Sequence, residues 1–314
     1  MRRLVINILF FTLFLGGLIL FFETLYKDHK SRIEKTLERL DENSQNIETL
    51  IIGASHTLGI GINNEFKNQN IYNVSIGGQD LLHSYLILKK FLEETTNLRS
   101  VIIELEYHSL GYNFSEFNQG WKNRQYFTYT KNLYDNSAIN LFLANSSFFN
   151  SNRDLNHLLN KLMNSELKKQ QNLNISKQSL ANHNSPLTAL SKDEGSACKK
   201  RATEHSRAKY KHTLISENIE VLKNIISLCD KKKIKLNFIN TPKKKCYLNQ
   251  YLANKNMLKN KKILNRIISN SNAIYYDMLE SESFDHSDYS NPDHLNEKGL
   301  NKLSRILFSQ ILNE

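Results

Sequence analysis

Thr49-Leu50-Ile51-Ile52-Gly53-Ala54-Ser55-His56-Thr57 carries the pattern that decides the fold. A short apolar run, read as a first strand, ends in small residues followed by a hydroxyl and an imidazole. Comparable runs recur at Ile71-Tyr72-Asn73-Val74, Val101-Ile102-Ile103-Glu104-Leu105, Ile234 to Ile239 and Ala273 to Tyr276. Helical patterns lie between them. Leu81, Leu82, Tyr85, Leu88 and Leu92 mark one helix face, and Ile215, Ile219, Leu222, Ile226 and Cys229 a narrow seam. Leu300, Leu303, Leu307 and Ile311 line a closing helix. Strands separated by helices imply a mostly parallel sheet covered on both faces, an α/β fold of three α/β/α layers.

Upstream of this pattern, Leu4 to Phe22 contains no charge. At about 1.5 Å per residue such a helix matches a hydrocarbon core of roughly 30 Å. Arg2 and Arg3 precede it, which predicts a cytoplasmic N-terminus and an exported main domain. Glu23-Thr24-Leu25-Tyr26 offers no small-x-small cleavage site, so the segment reads as an uncleaved membrane anchor. The expected organisation is an anchor over 1–26, a charged helical stalk over 27–47, and the α/β domain over 48–314. Within that domain, residues 109–208 show no strand signal. Their aromatic first part, with Phe117, Trp121, Tyr126, Phe127 and Tyr129, reads as a cap over one sheet edge. Its rings either form the core of that cap or line a sugar subsite. The polar stretch 166–208 reads as an exposed, mobile loop.

The 314 residues are 40% hydrophobic, enough for a packed core. The formal charge is +11, and basic residues cluster at Lys199–Arg201, Lys231–Lys233 and Lys243–Lys245. These read as solvated surface. No nucleic-acid recognition motif accompanies them, and export separates the domain from DNA. Cys198, Cys229 and Cys246 lack metal-ligand spacing; at most one pair can form, and Cys229 suits a buried helix position.

Parallel α/β sheets open their crevices at the C-terminal strand ends. Gly53-Ala54-Ser55-His56 follows the first strand, where small residues allow a turn that lifts the Ser55 hydroxyl out of the sheet. Ser75-Ile76-Gly77-Gly78-Gln79-Asp80 follows the second and can aim backbone N–H groups at an anion. Asn291-Pro292-Asp293-His294-Leu295-Asn296 lies beyond the fifth, where His294 can reach Ser55 as a general base.

These blocks, with Asn73 and Gly299, resemble those of the SGNH/GDSL hydrolase superfamily, and more closely its divergent membrane-anchored members near cell-surface polysaccharide and teichoic-acid machinery. The resemblance covers residues 48–312 apart from the inserted region. It implies Ser55 as nucleophile and His294 as general base; Asp293, next to His294, is the candidate carboxylate partner that the residues themselves offer. It further implies Ser55 and Gly78 N–H groups as oxyanion donors, with Asn73 in the matching block; from the residues themselves, Tyr107 or His108 can donate to the oxyanion, and His56 either orients substrate or holds the turn. The implied chemistry is ester hydrolysis or O-acyl transfer on a cell-surface glycan or related polymer, with no metal or organic cofactor. A membrane-embedded acyl donor is an implied partner. Two departures stand out. Asn291 occupies the position of the usual aspartate, with Asp293 and Asp288 as substitutes. Glu106-Tyr107-His108 stands where an asparagine usually serves the oxyanion.

Two other readings remain open from the residues. One is a binding or assembly protein of a cell-envelope polysaccharide system that keeps the fold without the catalysis, for which Asn291 speaks. The other is a metal-dependent hydrolase using Asp285, His286, Asp288, Asp293 and His294, although that run lacks i,i+4 spacing. His83, on the helix after Gly78, reads as solvated or hydrogen-bonded.

Overall fold

A computed structural model describes residues 1–66, 69–95, 97–114, 120–151, 194–206 and 212–311. The apolar runs form one all-parallel sheet of β1 (Thr49–Ile52), β2 (Ile71–Asn73), β3 (Ser100–Glu104), β4 (Lys235–Asn240) and β5 (Ile274–Asp277). Its order is β2-β1-β3-β4-β5. The chain steps outward from β1 to β2 and then returns across β1 to β3. That reversal opens a crevice at the C-terminal ends of β1 and β3, where open parallel sheets bind ligands.

β1 and β3 are buried along their whole length, as continuous apolar runs require when both faces are covered. Ile51, Ile102 and Ile239 share a cluster with Leu303, Leu307, Phe308 and Ile311, which lie on the closing helix at Glu297–Ile311. On the strand positions of opposite parity, Leu50, Val101 and Phe238 are fully buried. The helices Leu81–Glu94 and His212–Lys232 pack together, and the latter also packs on β4.

Among the described residues the α-helices are, in chain order, α1 (Arg2–Tyr26), α2 (Arg32–Glu42), α3 (Leu81–Glu94), α4 (Gly120–Thr130), α5 (Ala138–Asn145), α6 (Ser147–Ser151), α7 (Glu194–Ser206), α8 (His212–Lys232), α9 (Lys245–Tyr251), α10 (Lys255–Ser269) and α11 (Glu297–Ile311). Two compact units emerge: Met1–Glu38 with Phe117–Gln171, and Arg39–Glu116 with Asn172–Glu314.

The first unit contains α1, long and apolar enough to cross a membrane and with no buried residue. The segment read as a stalk contains α2, whose start is a reciprocal cap. Ser31 N–H donates to the Glu34 carboxylate at 2.7 Å, and Glu34 N–H donates to the Ser31 hydroxyl at 3.2 Å. Ile33, Leu37 and Leu40 of this helix are buried. The aromatic residues read as a cap lie on α4, with Trp121, Tyr126 and Tyr129 buried, in the same unit as α1. Phe117 is outside the described residues.

The second unit holds the sheet. The sequence reading makes 166–208 an exposed, mobile loop; residues 194–206 instead form α7, with Cys198 and Ala202 buried. Residues 166–193 lie outside the described residues. Few large apolar side chains mark α7, because a disulfide, Cys198–Cys246, ties it to α9 in place of an apolar stripe. Cys229 is free and buried on α8.

Candidate active site

The end of β1 and the loop before α11 bring Ser55 and His294 together, with Ser55 Oγ 2.9 Å from His294 Nε2. The turn that presents Ser55 is held against β3. A Cβ at Gly53 would stand 2.3 Å from Thr57 Oγ1 and 2.6 Å from Glu104 Cβ, so only glycine lets the chain pass there. Glu104 Oε2 then accepts from the Ala54 N–H at 2.7 Å and from the Thr57 hydroxyl at 2.8 Å. From the β2 side, the Asn73 amide donates to the carbonyls of Thr57 and Ile60 at 2.7 and 2.9 Å. The candidate nucleophile thus sits on a turn pinned from both neighbouring strands.

His294 is oriented through its other nitrogen. Asn291 Oδ1 accepts the N–H groups of Asp293 and His294 at 3.1 and 2.9 Å, which fixes the amide's orientation. That oxygen lies 3.1 Å from His294 Nδ1, and Asp293 Oδ2 lies 3.3 Å from the same nitrogen. Both neighbours are acceptors, so Nδ1 carries the proton and Nε2 offers its lone pair to the Ser55 hydroxyl. Burial lowers the His294 pKa, the adjacent His56 cation lowers it further, and the bond to Asp293 opposes them, leaving it at about 4. The imidazole is therefore neutral near neutral pH, as a general base must be.

Beneath this pair lies a buried charge network. His56 Nδ1 is 3.1 Å from Glu104 Oε1 and 2.9 Å from Glu106 Oε1, while Nε2 is 3.2 Å from Asp293 Oδ2. Burial pushes the His56 pKa down, but the Glu106 charge and the bonds to Asp293 and Glu104 override it and raise it to about 10. Lys243 Nζ donates to Glu106 at 2.6 Å and to the Thr241 hydroxyl at 2.6 Å. The Arg201 guanidinium grips Asp293 with two N–H groups at 3.0 and 2.7 Å. Burial alone would raise the carboxylates, yet His56 and Lys243 hold Glu106 well below its ordinary range. Bonds to His294 and His56 do the same for Asp293. Glu104, Glu106 and Asp293 are thus matched by His56, Lys243 and Arg201, the condition under which buried charges persist.

His205 on α7 stacks on His108 at 4.7 Å and lies 2.7 Å from the Tyr247 hydroxyl through Nδ1. Burial keeps both imidazoles below their ordinary pKa. The disulfide therefore joins two helices that supply site neighbours, α7 with Arg201 and His205 and α9 with Tyr247.

Gly78 takes a left-handed φ of 72° and its carbonyl accepts from the Tyr112 hydroxyl at 2.8 Å. No hydrogen bond from the Ser55 or Gly78 N–H to a described residue is found. Asn73 spends its amide on the turn, as given above. Tyr107 is fully buried and its hydroxyl donates to Asp277, away from Ser55. His56 lies under the pair inside the charge network. Asp288 bonds Lys302 at 3.0 Å, leaving Asp293 as the carboxylate on His294. His83 is buried with its Nδ1 2.6 Å from Asp80.

Asp285, His286 and Asp288 do not join Asp293 and His294 in a metal-ligating group. Among the described residues, the groups of ligand type that do gather are His56 with Asp293 and His294, and His56 with Glu104 and Glu106. Sequence reasoning missed Glu104, Lys243, Arg201 and His205. Glu104-Leu105-Glu106, two acids two residues apart at the end of an apolar strand, was a usable signal. Arg201 had none beyond its nearness to Cys198.

No family model matches the chain, and no curated protein matches it in sequence. Among solved structures, a "putative platelet activating factor" from Streptococcus pneumonia aligns over 94% of this chain and 98% of its own, at 9% identity and a TM-score of 0.46. A likeness at that level carries no functional argument.

Proposed function

We propose that this chain is a membrane-anchored, extracytoplasmic esterase or O-acyltransferase of SGNH type, acting through Ser55 and His294 on a cell-surface glycan or related polymer. The observation that carries the reading is the 2.9 Å contact from Ser55 Oγ to His294 Nε2, with Nδ1 satisfied by acceptors. In the reaction, Ser55 attacks the acyl carbonyl while His294 takes its proton. The alcohol of the ester leaves with that proton, and the acyl group stays on Ser55. His294 then deprotonates water or an acceptor hydroxyl, which takes the acyl group and restores Ser55. The N–H groups of Ser55 and Gly78 are the candidate oxyanion donors.

Export is supported by the apolar α1 behind Arg2 and Arg3, and the Cys198–Cys246 disulfide suits an oxidising compartment. A binding or assembly role without catalysis is favoured by Asn291, since an amide does not stabilise an imidazolium as a carboxylate does. Asp293, 3.3 Å from Nδ1, supplies the charge that Asn291 lacks and favours the enzyme. A serine-reactive fluorophosphonate probe separates the two readings. The full chain should label, and Ser55→Ala and His294→Ala should both fail to. Folded wild-type protein that takes no label would favour the binding role.

A further inference from the structure

Helix α5 turns its apolar side outward. Ala138, Ile139, Leu141 and Phe142 are exposed, whereas Leu143 and Ala144 are buried. Ile139 is 52% and Phe142 49% accessible. On a helix bathed in water the free face is polar; here Ile139, Leu141 and Phe142 stand exposed, with Asn145 the exposed polar side chain.

This outward face is continuous with the anchor helix through a chain of rings in the same unit. Phe22 of α1 stacks on Phe148 of α6 at 4.7 Å, Phe148 meets Phe149 at 5.1 Å, and Phe149 meets Phe142 at 5.9 Å. Tyr26 sets its edge on Phe148 at 5.3 Å. Between those two α1 residues, the Glu23 carboxylate accepts from the Ser147 N–H at 2.9 Å and from the Ser146 hydroxyl.

The place of these contacts along α1 decides what surrounds them. Leu4 to Phe22 rises about 28 Å, against a hydrocarbon core of roughly 30 Å. Phe22 therefore stands at the edge of the core, and Glu23 and Tyr26 stand in the headgroup layer where charged and amphipathic aromatic side chains settle. A helix stacked on Phe22 and bonded to Glu23 lies at the same depth. We infer that α5 and α6 form a second, monotopic membrane contact beside the exit of α1, with Ile139, Leu141 and Phe142 seated among the lipid acyl chains. The occupant is lipid because the contact grows out of the helix that lipid surrounds, and because the inserted face carries no charge to pair with a protein partner. This contact rests on the anchor reading of α1, not on the Ser55 chemistry.

The full chain reconstituted in phosphatidylcholine vesicles with brominated acyl chains tests it. Trp121, the single tryptophan, is replaced by Phe, and a reporter is introduced by Phe142→Trp, Ile139→Trp, Phe14→Trp or Leu258→Trp. Difference spectra with Trp121 retained cover a Trp121→Phe background that folds poorly. The reporters at 142 and 139 should emit to the blue and lose roughly half their intensity to bromines near the interface. The reporter at 14 should be quenched by deep bromines and that at 258 by none. Reporters at 139 and 142 that respond like 258 to bromine overturn the second contact alone, whether they face water or a protein. Absence of quenching at 14 as well overturns the anchor with it.

Discussion

The turn after β1 and the loop before α11 each offer a histidine, with ring centroids 4.4 Å apart, and the protein treats the two oppositely. His56 is buried and His294 largely so, which by itself lowers an imidazole pKa. His56 is surrounded by Glu104, Glu106 and Asp293, and despite burial its pKa rises to about 10. His294 meets the neutral Asn291 amide and shares Asp293 with Arg201 and with the His56 cation, so it falls to about 4. Burial pushes both the same way, and the carboxylates around His56, set against the His56 charge beside His294, separate them. His56 is held as a cation among the carboxylates, and that cation helps keep the neighbouring His294 neutral.

Removing the shared carboxylate breaks this comparison most severely. Asp293→Asn leaves the imidazolium of His294 without a charge to stabilise it, and the labelling rate should fall by about 10²- to 10⁴-fold. Asn291→Ala removes only an orienting acceptor and should cost about tenfold. If the two losses are reversed, Asn291 and not Asp293 is the partner that matters. Removing a carboxylate from His56 acts on stability instead. Glu106→Gln leaves Lys243 and His56 underpaired and should lower the unfolding free energy by about 3–5 kcal/mol in urea denaturation.

The two histidines also predict opposite pH limbs. The folded state holds the His56 proton up to about 10, whereas the unfolded chain releases it near 6.5. The stability this adds is fully present below about pH 6.5 and is lost as pH rises through 10. His294 stays neutral in the folded state down to about 4. The unfolded chain therefore binds its proton first, and stability falls as pH drops from about 6.5 toward 4. His56→Gln should flatten the alkaline limb and His294→Gln the acid limb, each measured by denaturation across pH. The smallest effect is expected from opening Cys198–Cys246 with a reductant. Freed from α9, α7 should hold Arg201 and His205 less well, and labelling should slow by about threefold to tenfold.

The sheet was legible because its strands are continuous apolar runs with helical periodicity between them. Leu50–Ile52 and Val101–Leu105 needed only their own residues. Ser55 was legible in a short block at the end of β1 and His294 in one between β5 and α11, and residue order alone placed them on one crevice. The floor of the site was not. Arg201 comes from a polar helix far along the chain, and no local pattern says that its guanidinium closes on Asp293. Lys243 looked like part of a solvated basic run, Lys243–Lys245, yet it is buried against Glu106. Tyr107 shows the converse. Its position suggested an oxyanion donor, but its ring is fully buried and its hydroxyl is committed to Asp277. Long-range charge pairing leaves no periodic trace, so sequence reading pointed to Ser55 and His294, which the fold brings to 2.9 Å, and missed the charges around them.

The most direct test of the account is the rate of fluorophosphonate labelling of the full chain from about pH 3 to pH 8. If a neutral His294 with a depressed pKa activates Ser55, the rate rises to half its plateau near pH 4, and Ser55→Ala stays unlabelled throughout. A midpoint at or above about 6.5, or label that persists in Ser55→Ala, would contradict it.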